Sequence, residues 1–245
     1  MKFRTLTYLA AAIVAPLLLA GCLLQPGKFT SVLTVKADRS FTFAYKGEVI
    51  AFDPSEAMEA GFGASSANEN EDLGDEEKAA KAEEKARKAR EAAENEVKRK
   101  AIAEALSKEA GYRSATYLGN GKFMIDYEIS GTLDHNFIYP FNSDAEIVFP
   151  FIAVELRRDG SVRMVAPAYS GSNGKAGSAP AGMPSRNEAL DGTFTLATDA
   201  GITMHNNEAG PQLGPDGMKT ITWRVTPLTK DAPTAAMRLA PLPVR

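Results

Sequence analysis

The chain has 245 residues, of which 44% are hydrophobic and 24% are charged, and its formal net charge at pH 7 is −3. This composition excludes a collagen-like or wholly disordered chain, and a single cysteine excludes a disulfide framework within the chain. A negative net charge gives none of the basic patterning that nucleic acid requires, so we expect no nucleic-acid partner.

The first predicted element is a secretory signal peptide at residues 1–21. Lys2 and Arg4 precede a short apolar run that ends at Ala20, and a basic start followed by a short apolar core is typical of such signals. The run is shorter than the roughly 20 apolar residues that cross a bilayer, and Pro16 interrupts it. The pattern therefore favours a cleaved signal over a retained membrane-spanning helix.

The signal ends in Leu19-Ala20-Gly21-Cys22, which resembles the lipobox of bacterial lipoproteins: an aliphatic residue, two small residues and a cysteine. The resemblance implies that lipoprotein processing enzymes attach a diacylglyceryl group to the Cys22 thiol, cleave before Cys22 and acylate the freed amine. Cys22 is also the only cysteine, and an unpaired thiol in an oxidising compartment is a liability unless it is consumed. We therefore predict lipidation at Cys22. The alternative is that Cys22 is an ordinary small residue of a signal peptide that is cut elsewhere.

The same resemblance predicts the cellular location. Residues 22–28 would form the lipidated N-terminus, and several acyl chains, at about 0.8 kcal/mol per buried CH₂ group, hold a protein to a membrane almost permanently. Removing residues 1–21 takes two of the 28 basic residues and none of the 31 acidic ones, which leaves a net charge of −5. Such a chain is not drawn to an anionic membrane, so lipid must hold it there. In lipoproteins of bacteria with two membranes, an Asp after the cysteine favours the inner membrane; Leu23 and Leu24 therefore favour the outer membrane, facing the periplasm.

Residues 29–226 are predicted to fold as one α+β domain whose antiparallel sheet is built from β-hairpins. The first hairpin is the clearest, because Phe41, Phe43 and Tyr45 recur at the period of a half-buried strand. The second turns at an Asn-Gly pair and the third at an Asp-Gly pair, both of which favour tight hairpin turns. The predicted hairpins cover residues 29–52, 112–129 and 146–165, and further strands cover residues 194–196, 202–204 and 220–225.

Trp223, in the last of these strands, is the only tryptophan, and we interpret it as a core anchor rather than a platform for a ligand. Two further segments lack the alternation of a strand. Residues 170–186 are rich in Gly, Ser, Ala and Pro and are predicted to form a flexible loop. Residues 227–245 contain four prolines and are predicted to form an extended C-terminal tail.

Residues 75–110 are predicted to be a helical insertion between strands, with a continuous helix over residues 76–109. The segment is rich in Ala, Glu, Lys and Arg, which are strong helix formers. Asp75 can cap its N-terminus. Several acidic residues lie four positions before basic ones, and each such pair stabilises a helix by about 0.2–0.5 kcal/mol. The pattern therefore predicts a long helix that needs little support from the rest of the fold.

The two halves of this helix differ in the size of their apolar residues. Residues 76–95 offer only a stripe of alanines and are predicted to be solvated, whereas Val97, Ile102 and Leu106 are large enough to dock on the body. Two interpretations stay open. The helix is either a solvated spacer inserted between strands or a coiled-coil arm that binds a protein partner.

The order of elements resembles the LppM-type domain of bacterial lipoproteins. The resemblance is carried by the strand directly after the lipobox cysteine, the hairpin from Val32 to Tyr45, the helical middle and the strand Thr220-Ile221-Thr222-Trp223. It covers residues 22–52 and about 100–226, and it implies an α+β fold with a role in lipid or cell-envelope biology. The long charged helix and the Pro-rich tail depart from the family's pattern.

The sequence holds no recognised catalytic or phosphate-binding motif. Neither His135 nor His205 has an acid or cysteine at metal-ligand spacing, so we expect no metal, no cofactor and no catalytic residue. We interpret Asp134-His135 as a surface pair beside a turn. The chain is predicted to be a lipid-anchored cell-envelope protein with a non-catalytic binding or structural role, toward a partner protein or an apolar or lipid ligand. The alternative is an envelope hydrolase whose site joins Asp134, His135 and a hydroxyl from distant parts of the chain.

Overall fold

The computed structural model describes residues 23–52, 75–140, 150–157, 159–171 and 189–240. These residues form a mainly β structure with one long α-helix, which confirms the predicted α+β class. In chain order the elements are β1 (Leu23–Val35), β2 (Ser40–Phe52), α1 (Asp75–Leu106), β3 (Tyr112–Gly119), β4 (Lys122–Thr132), β5 (Phe137–Tyr139), β6 (Ile152–Leu156), β7 (Ser161–Val165), a short 3-10 helix (Pro167–Tyr169), β8 (Asp191–Thr198), β9 (Gly201–His205), β10 (Gln212–Leu213), β11 (Lys219–Val225) and β12 (Thr234–Arg238).

The strands divide between two sheets. The large sheet has the strand order β10-β11-β8-β1-β2-β4-β3, and the small sheet has the order β5-β6-β7-β12-β9. β1 and β8 run parallel, and the other neighbours are antiparallel. The sheets stack face to face, because the ring of Tyr45 in β2 lies 5.6 Å from the ring of Phe151 beside β6. We call the face of the large sheet that contacts the small sheet its inner face, and the opposite face its outer face.

All three predicted hairpins are present, as β1–β2, β3–β4 and β6–β7. β1 begins at Leu23 rather than at residue 29. The second hairpin turns at Asn120 and Gly121, both with positive φ, as the Asn-Gly pair predicts. The third turns at Gly160, and residues 146–149 of its predicted range lie outside the described residues. The three further predicted strands are confirmed as β8, β9 and β11.

The core lies between the inner face and the small sheet. Alternate residues of β1 and β2, such as Leu33 and Phe43, are fully buried there. Trp223 in β11 is 8% exposed, its ring stacks on Phe194 at a centroid distance of 5.5 Å, and its Nε1 donates a hydrogen bond of 3.2 Å to Oδ1 of Asn206. The prediction that Trp223 anchors the core is confirmed.

The helix α1 docks on β3 through its C-terminal half. Residues 81–94 are exposed, as predicted, whereas Ala103 is buried and Ile102 packs against the core. The Oγ of Ser107 accepts a hydrogen bond of 3.2 Å from the Ala115 N–H and so fixes this end of the helix to β3. The prediction that Val97 docks is wrong: Val97 is 71% exposed. It lies five positions before Ile102, and this spacing places the two side chains on different sides of the helix.

Replacing Ile102 by alanine should lower the free energy of unfolding by about 1–2 kcal/mol, less than the 2–5 kcal/mol typical of a fully buried isoleucine. Val97→Ala is the matched control and should stay within about 0.5 kcal/mol of the parent, because an exposed valine contributes little packing. Urea unfolding followed by the fluorescence of Trp223 measures both. Equal losses for the two variants would contradict the docked face that Ile102 and Ala103 define.

The prediction of an extended tail at residues 227–245 is wrong for Thr234–Arg238, which form β12. This strand lies between β7 and β9 and pairs with both, so its backbone is an inner strand of the small sheet. Ala235, Met237 and Leu239 are all less than 5% exposed. The physical reason is that these alternate side chains fill the core while Pro233 precedes the strand, where a missing N–H disrupts no ladder.

Some predictions fall on other parts of the chain. Residues 172–186 of the predicted loop and residues 241–245 of the predicted tail lie outside the described residues. β5 was not predicted, because its three residues are too few to show a period.

Candidate membrane-anchoring site

Cys22 and the rest of the predicted lipobox, namely Leu19, Ala20 and Gly21, lie outside the described residues. The described chain begins at Leu23, which is the first residue of β1. Since neighbouring Cα atoms are about 3.8 Å apart across a trans peptide bond, Cys22 is covalently held at the start of the large sheet. A lipid on Cys22 would therefore hold the body with no linker between them.

Three chain segments meet where β1 begins. Leu24 pairs with Ala51 near the end of β2, and the Ala51 N–H donates a hydrogen bond of 2.8 Å to the carbonyl oxygen of Gly121. Gly121 has a φ of +72°, and a Cβ there would lie 2.5 Å from the carbonyl oxygen of Ala51, so this turn requires glycine. We call this end of the large sheet, marked by Leu23, Phe52 and Gly121, the anchor end.

A β-bulge lies just inside the anchor end. The pairing of β1 with β2 shifts between Pro26 and Phe29, a place where the missing N–H of proline is tolerated. Gly47 lies opposite, where a Cβ would be 2.3 Å from the carbonyl oxygen of Lys28. The Lys28 N–H donates a hydrogen bond of 3.3 Å to Oε2 of Glu48. The start of β1 is therefore tied to β2 across the break in the ladder.

Phe29 joins the start of β1 to the core. Its ring stacks on Tyr169 at a centroid distance of 4.4 Å and on Tyr45 at 5.6 Å. Gly192 of β8 leaves room for this ring, because a Cβ there would lie 2.4 Å from it. The Tyr45 hydroxyl donates a hydrogen bond of 2.7 Å to the carbonyl oxygen of Glu48. Burial raises the pKa of Tyr45 and of Tyr169 far above the ordinary value for tyrosine, so both rings stay neutral.

The helix α1 crosses the anchor end. The Tyr117 hydroxyl donates a hydrogen bond of 2.6 Å to Oε1 of Glu96 and accepts one of 2.9 Å from the Gly121 N–H, while Ser107 bonds to Ala115 farther back along β3. Followed backwards along the chain, from Ser107 to Glu96, α1 therefore runs toward the anchor end. The preceding part of α1, about 20 residues at 1.5 Å each, continues past it by up to about 30 Å.

Asp134 and His135 lie in the turn after β4, at the end of the large sheet opposite the anchor end. Nδ1 of His135 is 2.5 Å from Oδ1 of Asp134, and the two side chains are 83% and 60% exposed. The prediction that they form a surface pair is confirmed. The hydrolase hypothesis, which joins this pair to a hydroxyl from a distant part of the chain, stays a prediction.

The described ranges contain no group of three His, Cys, Asp or Glu residues that could hold a metal ion. No helix in the same ranges has both the length and the hydropathy to cross a bilayer. The long helix α1 is too highly charged to do so: its exposed half carries the ion pairs Glu84–Lys88 at 3.0 Å and Arg87–Glu91 at 2.8 Å.

The sequence prediction missed that residues 23–28 belong to β1. Pro26-Gly27 is typical of a turn, and the structure instead takes the pair into a bulge within a continuous strand. A usable signal was present, because the apolar pair Leu23-Leu24 matches the apolar end of β2 at residues 50–52.

No known protein family matches the sequence, and no curated protein matches it. Among solved structures, the chain is similar to the NMR structure of the folded domain of LppM from Mycobacterium tuberculosis. The two share 15% sequence identity, the match covers 88% of this chain and 91% of that one, and the TM-score is 0.31. A similarity of this degree supports no inference about function.

Proposed function

We propose that the protein is a lipid-anchored cell-envelope protein with a non-catalytic binding or structural role, attached through Cys22 and, in a host with two membranes, held at the outer membrane facing the periplasm. The observation that carries this proposal is the junction at Leu23. The lipobox cysteine is followed at once by the first strand of the fold, so cleavage before Cys22 removes no residue of any described element. The acyl groups would supply the attachment that a net charge of −5 does not.

The binding role belongs at the surface. The described space between the sheets is filled by contacting rings, such as Phe43 against Tyr139 at 5.0 Å and Tyr45 against Phe151 at 5.6 Å. This packing favours a protein partner on the outside over an apolar ligand between the sheets. The exposed half of α1, residues 81–94, is the surface we assign to that partner, the alternative being that it acts only as a spacer.

Cys22→Ala should abolish incorporation of a clickable fatty acid and release the protein from the membrane fraction, because only a thiol can form the thioether to the diacylglyceryl group. Gly21→Ala is the matched control and should label like the parent, since it keeps a small residue before the cysteine. Metabolic labelling followed by density fractionation reads out both. Equal labelling of the parent and Cys22→Ala would refute lipidation, and a labelled parent at inner-membrane density would refute only the sorting.

A further inference from the structure

The outer face of the large sheet carries an array of small side chains. The register of β11, β8, β1 and β2 places these residues in rows across the sheet, and all are at least partly exposed. Hydroxyls on this face bond to one another, as Thr195 does with Thr222 at 3.2 Å and Thr42 with Ser130 at 2.9 Å. Two successive rows are Thr222, Thr195, Val32 and Ala44, then Thr220, Ala197, Thr34 and Thr42.

Most charged residues around this array are bonded in pairs of opposite sign. Eight of them form four ion pairs, whose charges cancel, whereas the chain after residue 21 has a net charge of −5. A surface with balanced charges is not repelled by anionic lipid headgroups. The pairs are Lys46–Asp126 at 3.1 Å, Arg113–Glu128 at 2.6 Å, Lys122–Glu48 at 3.6 Å and Arg224–Asp191.

Two large apolar side chains of β3 and β4 are exposed toward the anchor end. Leu118 of β3 is 51% exposed and Met124 of β4 is 39% exposed. The strand neighbour of Met124, Phe123, faces the core, where its ring packs on Tyr117 at a centroid distance of 5.0 Å. Met124 therefore points away from the core, toward whatever the outer face meets. Leu118 lies beside it in the β-bulge of β3, and its side chain is exposed.

The position of α1 limits how the body can meet a membrane. The small sheet and α1 both lie on the inner side of the large sheet, as the contacts of Tyr45 with Phe151 and of Tyr117 with Glu96 show. The charged half of α1 continues past the anchor end, and charged side chains are excluded from hydrocarbon. A molecule attached at Cys22 with its strands upright would drive this half of α1 into the bilayer. An orientation with the outer face toward the membrane keeps both α1 and the small sheet in water.

We propose that the outer face of the large sheet is the surface that this protein lays against the lipid headgroups of its own membrane. The proposal rests on the lipid anchor at Cys22. The threonine rows and the ion pairs meet the polar headgroups, and Leu118 and Met124 reach deepest, close to the acyl chains that Cys22 inserts. The exposed half of α1 then runs along the membrane surface.

Met124→Cys and Ile138→Cys form a matched pair for testing this orientation. Ile138 is 36% exposed and lies on the outward side of the small sheet, against 39% for Met124. Because lipidation consumes the thiol of Cys22, the introduced cysteine is the only free thiol of the mature protein. The variants are expressed as the full chain, purified, labelled with an environment-sensitive dye and placed in vesicles of phosphatidylethanolamine and phosphatidylglycerol that contain a nitroxide-labelled lipid.

We expect the nitroxide to quench the dye at position 124 at least threefold more than the dye at position 138. Thr222→Cys, which needs no core residue to change, should be quenched like position 124. Equal quenching at all positions, or stronger quenching at 138, overturns the orientation. Flotation of the same vesicles separates the two proposals: protein that fails to float refutes the lipid anchor and this orientation with it, whereas floating protein with equal quenching refutes the orientation alone.

Discussion

Met237→Ala should lower the free energy of unfolding by about 2–5 kcal/mol, the range for truncating a buried methionine. Met237 is 1% exposed and lies in β12, between β7 and β9 of the small sheet. Truncation there leaves a cavity in the middle of the core, and the strands on both sides lose a packing partner. Urea unfolding of residues 22–245, followed by the fluorescence of Trp223, gives the change directly.

Ala236→Ser is the control for this result. Ala236 is the neighbour of Met237 in the same strand and faces the opposite side of the sheet, where it is partly exposed. Its replacement should change stability by no more than about 0.5 kcal/mol. If both variants unfold like the parent, residues 234–240 form a loose tail in solution and β12 is not a strand of the small sheet.

Arg39→Ala should lower the free energy of unfolding by about 2–4 kcal/mol, since a hydrogen bond to a charged group contributes about 1.5–3 kcal/mol. Arg39 lies in the turn between β1 and β2 and is 4% exposed. Its Nε donates a hydrogen bond of 2.7 Å to the carbonyl oxygen of Ala240, and its Nη1 donates one of 2.9 Å to that of Leu133. One guanidinium therefore ties the first hairpin to the end of β4 and to the segment after β12.

Two further variants separate the bonds of Arg39 from its backbone. Arg39 has a φ of +75°, a conformation that glycine adopts freely and alanine does not. Arg39→Gly should therefore be more stable than Arg39→Ala by about 1 kcal/mol, though less stable than the parent. Lys36→Ala, in the same turn but exposed, should unfold like the parent. An Arg39→Ala variant as stable as Lys36→Ala would show that the buried guanidinium does not join these segments.

Sequence predicts this fold best where local chemistry decides the structure. The alternation of Phe41, Phe43 and Tyr45 predicts β2, and the Asn120-Gly121 pair predicts the turn of the second hairpin, because both signals act over a few residues. β12 was missed because two of its five residues are alanines and prolines lie nearby. Only its pairing with β7 and β9, which come from distant parts of the chain, makes it a strand.

Long-range contacts also account for the positions of Arg39 and Val97. Arg39 has the sequence context of a solvated turn residue, and its burial comes from carbonyl oxygens 94 and 201 positions away. Val97 and Ile102 are both apolar, so polarity alone does not tell which of them docks. The hydrogen bonds of Tyr117 with Glu96 and of Ala115 with Ser107 fix the face of α1 that contacts β3. Residues 19–22 are the opposite case: they resemble a lipobox, and this short pattern alone predicts lipidation at Cys22.

The mass of the N-terminal peptide from the membrane-bound protein tests the lipid anchor most directly. Trypsin should release residues 22–28, Cys-Leu-Leu-Gln-Pro-Gly-Lys, from the mature chain. We expect this peptide to begin at Cys22 and to carry the mass of a diacylglyceryl group and of an acyl group on its amine. A peptide that begins elsewhere, or one that begins at Cys22 with a free thiol, would contradict the account.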